Sequence, residues 1–376
     1  GAAYDSGSAT PRPAVASQSH APGAALFMPH GPLAPNRLAL AAIKFIPNPH
    51  PAMIETWTTE LPHGITLSCR SAGERGRPVL MFLHGFPEAA FVWDELLAHF
   101  AQPQHGGFRC VAPNLRGYER SSSPPEPEAY RAKHLNADIA ALIAQECGAA
   151  GQLAALVAHD WGGALAWGLA SLQPGLMQRL VIVNSPHPQT FWRGLRASPT
   201  QQAASAYMNF LIRPDAEALL AADDFARLWP FFDLMGARGA GPMQAASQRL
   251  DGGAAAKATG AGSNAGANAT SFGQPATLPT GAGWLTEPLR AQYRAVWQGD
   301  GSRPGAGLTG GLNYYRASPL RPPREGDPAA AAVDLPEDAF TVPMPTLVLW
   351  AMQDSALPPE LIDGLERWVP DLRVAR

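Results

Sequence analysis

Only three of the 376 residues are cysteine (Cys69, Cys110 and Cys147), and they stand far apart with no C-x-x-C pair. That excludes a disulfide framework and a cysteine-based zinc module, and it predicts free thiols in a reducing compartment. Charge of one sign is missing as well. A net charge of −3 with 16% charged residues provides no electrostatic footprint for nucleic acid or an anionic membrane. Long apolar runs are absent: nothing approaches the roughly 18 residues of a membrane span. The patch Leu38–Ile43 is short and closed by Lys44. It is a poor signal-peptide core, although the chain opens at Gly1 and an earlier N-terminus is conceivable. Histidine is missing from the whole second half, the last being His187. These absences leave a small-molecule partner as the expectation, without nucleic acid, membrane, cofactor or metal. The protein is expected to be cytoplasmic, as a monomer or homodimer.

What is present is an alternation. At this length one large core with an inserted element is as feasible as two domains. Residues 1–53, rich in Ala, Pro, Gly and Ser without sustained periodicity, read as a loose arm. From Ile54 the pattern changes. Ile54–Glu60 and Ile65–Ser71 predict a hairpin turning at His63-Gly64. Val79–Leu83 (VLMFL), Phe108–Pro113, Leu153–Ala158 and Leu180–Val183 predict strands, the first and third of them apolar enough to be buried. Helical spacing lies between them, at Ala90–Ala101, His134–Cys147 and Gly162–Leu172. This is the signature of a mostly parallel sheet with helices on both faces.

Residues 54–186 thus form the first part of an α/β core, and residues 344–376 return to it with a strand at Pro345–Trp350 and a helix at Pro359–Val369. The block 187–343 between them breaks the alternation with aromatic-rich helical segments at Tyr207–Leu220, Phe225–Met235 and Glu287–Trp297. Inside that block, 236–283 is a tract of Ala, Gly, Ser, Thr and Asn with very few large apolar residues. It offers little surface to offset its ordering entropy and reads as a weakly ordered insertion, or alternatively as a lid loop.

The central chemical signal is Ala158-His159-Asp160-Trp161-Gly162-Gly163, directly after a buried strand and before a helix. It has the form small–x–nucleophile–x–Gly, the elbow that lifts one side chain above the carboxyl edge of a sheet. Aspartate fills the slot where serine is familiar. A carboxylate can displace a leaving group at saturated carbon and remain behind as an enzyme ester. An Asp before a helix is ordinarily an N-cap, but the glycine pair and the preceding strand favour the elbow. The second signal is His84-Gly85-Phe86-Pro87-Glu88, directly after VLMFL. There the Phe86 N–H can join the Trp161 N–H as an oxyanion hole for hydrolysis of that ester, and Pro87 is a candidate cis-proline in a tightly aimed turn.

The segments HGFPE (84–88), NLRGYERSS (114–122), HDWGG (159–163) and LNYYRA (312–317), with the late strand leading to Asp354, closely resemble the epoxide hydrolase branch of the α/β-hydrolases. The resemblance spans about 54–376 apart from the 236–283 tract. It implies an α/β-hydrolase fold with a helical cap, and a covalent aspartyl ester at Asp160. Two cap tyrosines, Tyr207 and Tyr315, would protonate the opening epoxide, while Tyr314 would be structural. Asp354 would be the acid that orients a base histidine, although an Asp before Pro358 can also be a simple turn cap. Phe86, Pro87 and Trp161 would contact substrate. The chemistry agrees, since an alkoxide leaves poorly unless a phenol donates to it during attack.

One departure stands out. The base histidine that the resemblance implies lies beyond Asp354, and none is there. His84 belongs to the loop, the His159 side chain is expected to point elsewhere, and His187 starts the cap. The simplest expectation is a C-terminal truncation that also removes the last strand and helix of the core, which puts full turnover in doubt. Among aspartate-nucleophile relatives, haloacetate dehalogenases carry arginines just after the nucleophile, where this chain has Trp161 and Ala164. Haloalkane dehalogenases keep a Trp after the nucleophile but add a second halide donor where Phe86 stands. The tyrosines favour epoxides, with haloalkane dehalogenation second and a catalytically impaired binding protein third.

Overall fold

Alternation decides the sheet. In strand β3 (Val79–Leu83) every residue is buried, yet neighbours leave on opposite faces. Val79, Met81 and Leu83 enter one apolar cluster, together with Leu135, Ile139, Leu142 and Ile143. Leu80 and Phe82 enter a second cluster with Trp93 and Leu97. The computed structural model describes residues 53–149, 151–233, 285–299, 301 and 306–376. The arm expected at 1–53, except its last residue, and the insertion at 236–283 lie outside them.

The hairpin β1 (Glu55–Glu60) and β2 (Thr66–Ala72) pairs antiparallel, and β2 pairs antiparallel with β4 (Arg109–Pro113). The remaining strands are parallel: β3, β5 (Ala155–His159), β6 (Leu180–Val183), β7 (Thr346–Leu349) and β8 (Leu372–Ala375). The eight strands run in the order β1-β2-β4-β3-β5-β6-β7-β8. Helix α1 (Asp94–Phe100) packs with the second cluster, and α2 (Ala132–Cys147) and α3 (Asp160–Leu172) with the first, so both faces are covered. This is the α/β-hydrolase fold.

Two expectations about the C-terminal part need correction. The last strand is present: Leu372–Ala375 pairs with β7, because Leu372 and Val374 alternate inward against its neighbour. The helix expected at Pro359–Val369 is instead two 3-10 turns, Pro359–Ile362 and Leu365–Arg367, separated by Gly364 at φ 76°, where a right-handed helix cannot continue. Elsewhere Ala90–Trp93 forms a 3-10 turn before α1. Cys69 and Cys110 are buried, and burial pushes both thiols up, Cys110 to about 12. Cys147 is half-buried.

Between β6 and β7 the chain builds short helices: α4 (Pro188–Ala197), α5 (Pro199–Ala204), α6 (Tyr207–Leu211), α7 (Ala216–Phe225), α8 (Pro230–Asp233), α9 (Glu287–Gln298) and α10 (Leu308–Ala317). The single helix expected over Tyr207–Leu220 is split into α6 and α7 by Pro214, which lacks the N–H a helix needs. No helix among the described residues is long and apolar enough to cross a membrane.

Candidate active site

The loops leaving the carboxyl ends of β3, β5, β6 and β7 converge, as ligand-binding loops do in open parallel sheets. The β5–α3 junction is the sharpest of them. Asp160 stands at φ 50°, a left-handed value that Asp tolerates better than most residues. Its turn brings the helix start against the neighbouring strand: a Cβ on Gly162 would lie 2.6 Å from the carbonyl oxygens of Leu83 and His84. Only glycine fits there, and its N–H donates to the His84 carbonyl at 3.0 Å. From β6, the Ser185 hydroxyl donates to the Asp160 carbonyl at 2.8 Å and anchors the strained residue.

The Asp160 carboxylate is half-buried and lies against the HGFPE loop. The Phe86 N–H donates to its Oδ1 at 2.7 Å, and the peptide bond that follows, Phe86–Pro87, is the cis proline bond expected from the sequence. Gly85 makes this approach possible, because a Cβ there would meet Oδ1 at 2.2 Å. Burial pushes the Asp160 pKa up, opposed by the His159 charge and by the backbone N–H groups of Phe86 and Trp161. Asp354, after β7, accepts at Oδ2 from Asn184 Nδ2 at 2.6 Å and at Oδ1 from the N–H groups of Ala356 and Leu357 at 2.7 and 2.9 Å.

All the residues singled out from the sequence line one cavity of about 150 Å³: Asp160, Asp354, Tyr207, Tyr315, Phe86, Pro87 and Trp161. Tyr207 from α6 and Tyr315 from α10 stand with ring centroids 6.2 Å apart, and Tyr315 packs edge-on against Trp161 at 5.0 Å. Burial, followed by the Asp160 charge for Tyr207 and by Tyr207 and then Asp160 for Tyr315, pushes both phenols up. Both therefore keep their protons at neutral pH. Tyr314 faces away, donating to the Arg116 carbonyl at 2.8 Å. Among the described residues no group of three or more His, Cys, Asp or Glu side chains could share a metal ion.

Four further residues of the site are not apparent from local sequence. Asn184 and Ser185 follow β6 and belong to no motif, although their place after a parallel strand is a usable signal. Glu88 appears in the sequence only as part of the HGFPE loop, with no role of its own. His159 is a correction: it lines the cavity and does not point elsewhere. Its Nδ1 lies 3.2 Å from Glu88 Oε2, and although burial opposes the charged form, the Glu88 hydrogen bond and charge raise its pKa above the ordinary value.

The other two histidines weighed for the site are structural. His84 Nε2 accepts from the Leu115 N–H at 3.1 Å and its Nδ1 lies 3.0 Å from the Gly85 carbonyl. His187 caps α4 and donates from Nε2 to the Phe340 carbonyl at 2.9 Å. Burial depresses both from 6.5 to about 4. A histidine so depressed contributes its stability fully above the unfolded value and loses it as pH falls toward the folded one. Each is therefore expected to steepen the loss of unfolding free energy between pH 6.5 and 4 by about 1.4 kcal/mol per pH unit. Asp160, raised on folding, opposes this at the acid end. Urea denaturation across this range checks it: His187→Gln should remove one histidine's share of the slope, and a flat wild-type profile would contradict the assignment.

The chain matches the family model described as alpha/beta hydrolase fold over residues 78–376. It is 29% identical to the AB hydrolase superfamily protein YfhM of Bacillus subtilis, over 82% of this chain and 85% of that protein. It is likewise 29% identical to Epoxide hydrolase 4 of Mus musculus, over 81% of this chain and 68% of the mouse protein. Among solved structures, an epoxide hydrolase from metagenomes of hot environments is 32% identical with TM-score 0.61, covering 86% of this chain and 91% of that one. The Bacillus megaterium epoxide hydrolase bound to an inhibitor is 26% identical with TM-score 0.61, covering 85% and 91%.

Proposed function

For a chain that belongs to the α/β-hydrolase family, in its epoxide hydrolase branch, we propose a reaction in two half-steps at Asp160. One carboxylate oxygen attacks an epoxide carbon, the carbon–oxygen bond of the ring breaks, and a phenol proton from Tyr207 or Tyr315 passes to the leaving oxygen. The product of that step is a hydroxyalkyl ester of Asp160. To complete the reaction a base takes a proton from water as it attacks the ester carbonyl, and the oxyanion rests on the N–H groups of Phe86 and Trp161. Collapse expels an oxygen of the vicinal diol, which takes up the new carboxyl's proton, while the base's proton returns to the phenolate. The observation that carries this reading is the meeting of a half-buried carboxylate at a strained elbow with two protonated phenols in one cavity.

Oδ1, already held by Phe86, becomes the ester carbonyl oxygen when the other oxygen attacks. The oxyanion of the second step thus forms where a donor is pre-aimed, which is the economical arrangement for such a hole. The cavity favours a neutral substrate, since none of its described lining residues is Lys or Arg. A substrate carboxylate there would face the carboxyl groups of Asp160 and Asp354, while His159 is already paired with Glu88. A cavity of about 150 Å³ suits one benzene-sized arm on the epoxide.

Haloalkane dehalogenation is the second reading, favoured by the position of Trp161 on the cavity wall. Its weakness is that the Trp161 indole already hydrogen-bonds Tyr315. Styrene oxide and 1-bromobutane, each followed in a single turnover, test the two. The epoxide is expected to esterify Asp160 and the bromide to leave it untouched. Tyr207→Phe and Tyr315→Phe should each slow esterification by about ten-fold or more, and the pair should nearly abolish it. A reactive bromide beside an inert epoxide hands the site to the second reading, and an unchanged rate in the double variant removes the tyrosines from their role.

A further inference from the structure

Helix α9 contributes nothing to the cavity wall among the described residues, yet it reaches the loop that holds Asp160. The Trp297 indole N–H donates to the Pro87 carbonyl at 2.7 Å, and the Tyr293 hydroxyl lies 3.4 Å from Glu88 Oε1. Both side chains are buried. The other Glu88 oxygen faces His159 Nδ1 at 3.2 Å, and one residue earlier than Pro87 the Phe86 N–H meets Asp160 at 2.7 Å. Two side chains from one turn of a helix therefore grip the two residues that follow the Asp160 donor.

We infer that Tyr293 and Trp297 are positioning residues, which hold the Phe86–Glu88 segment so that the Phe86 N–H keeps its aim on Asp160 and Glu88 its grip on His159. This rests on the ester chemistry proposed above. The physical reason is that a loop has few contacts of its own to fix it. Inside β3 the backbone is held by its neighbours Arg109–Val111 and Ala155–Ala158, but that ladder stops at Leu83. Beyond it, Glu88 N–H to the Gly85 carbonyl at 3.0 Å closes only a local turn. The Phe86 N–H fixes Oδ1 and thereby turns the other carboxylate oxygen toward the epoxide carbon, and misplacement of an attacking group by about 1 Å costs on the order of a hundred-fold in rate. The rings themselves pack independently of these polar tips: Tyr293 against Phe91 at 4.9 Å, and Trp297 against Trp229 at 4.7 Å. Packing and aiming can thus be separated by substitution.

Tyr293→Phe and Trp297→Phe keep an aromatic ring and remove the hydroxyl or the indole N–H. The readout is formation of the Asp160 ester from styrene oxide in a single turnover. At saturating epoxide the first-order rate constant does not depend on how much of the protein is folded, whereas the amplitude does. Each variant is expected to lower the rate constant about five-fold, and the double variant by about thirty-fold, with the half-saturating epoxide concentration nearly unchanged. A rate constant equal to that of the unsubstituted protein, with only amplitude or urea midpoint lowered, would mean the two residues merely stabilise the fold. A change confined to half-saturation would equally overturn the inference, since it would make them substrate contacts. Absence of any ester in the unsubstituted protein is a different result: it removes the functional reading itself, and this inference with it.

Discussion

Asp160→Asn is expected to abolish covalent capture of an epoxide altogether. Incubation with styrene oxide and intact-mass spectrometry should show one adduct of the unsubstituted protein and none of the variant. The substitution is suited to the question because it disturbs little else. Asn adopts the left-handed backbone at least as readily as Asp, so the φ of 50° is no obstacle. The amide oxygen can still accept from the Phe86 N–H, which lies 2.7 Å from Oδ1 in the aspartate form. What disappears is the anionic nucleophile, and an amide does not displace an alkoxide at a useful rate. An adduct of the same mass and yield in the variant would assign the attack to another residue.

The second large effect concerns turnover. The first half-step needs Asp160 and the phenols; the second needs a base to take a proton from water. Among the described residues the histidine at the cavity is His159, whose Nδ1 is taken up by Glu88 Oε2 at 3.2 Å and whose pKa that hydrogen bond and charge raise. His84 and His187 are neutral, but their ring nitrogens are engaged by backbone groups away from the cavity. The 376-residue chain is therefore expected to form its ester about once per molecule at neutral pH and then stall. Quenched-flow and mass measurements should find the ester persisting while diol release stays at the level of a single turnover. Extending the polypeptide past Arg376 with a loop and helix that carry a histidine, as the family resemblance implies, should convert this burst into steady release. The same extension with alanine in place of the histidine should keep the stall. Sustained release by the chain alone, with no accumulated ester, would show that His159 or another group serves as base, and the rise of that rate with pH would identify it.

Both expectations draw on residues that the amino-acid sequence makes conspicuous. Asp160 is legible because its neighbours leave few alternatives: a strand wholly apolar, a small residue at 158 and glycines at 162 and 163 describe a chain reversal with one side chain raised. Phe86 and Pro87 are legible for the same reason, as a tight loop directly after VLMFL. Tyr207 and Tyr315 come through resemblance alone, because a tyrosine in a helix has the same local appearance in a core as in a cavity wall. His159 is not legible. In a strand of period two its side chain is assigned to one face or the other, but at the last residue before the elbow the sheet's edge replaces the face, and Glu88 is there to pair it. The last strand is equally silent, since four residues at a sheet edge carry too little alternation to announce themselves.

The division follows from the range over which each interaction acts. Period, turn chemistry and glycine placement are local, so the sequence by itself determined the parallel α/β sheet, the strand-to-helix elbow, the HGFPE turn and the insertion of a helical block between β6 and β7. Only the tertiary structure decided which groups from separate loops share the cavity. Asn184 on Asp354, Ser185 on the Asp160 carbonyl, Glu88 on His159, and Trp297 on Pro87 join residues between 25 and 210 positions apart. No local pattern encodes such a pairing, because it is the crossing of the chain over the sheet's carboxyl edge that brings the partners within hydrogen-bond reach.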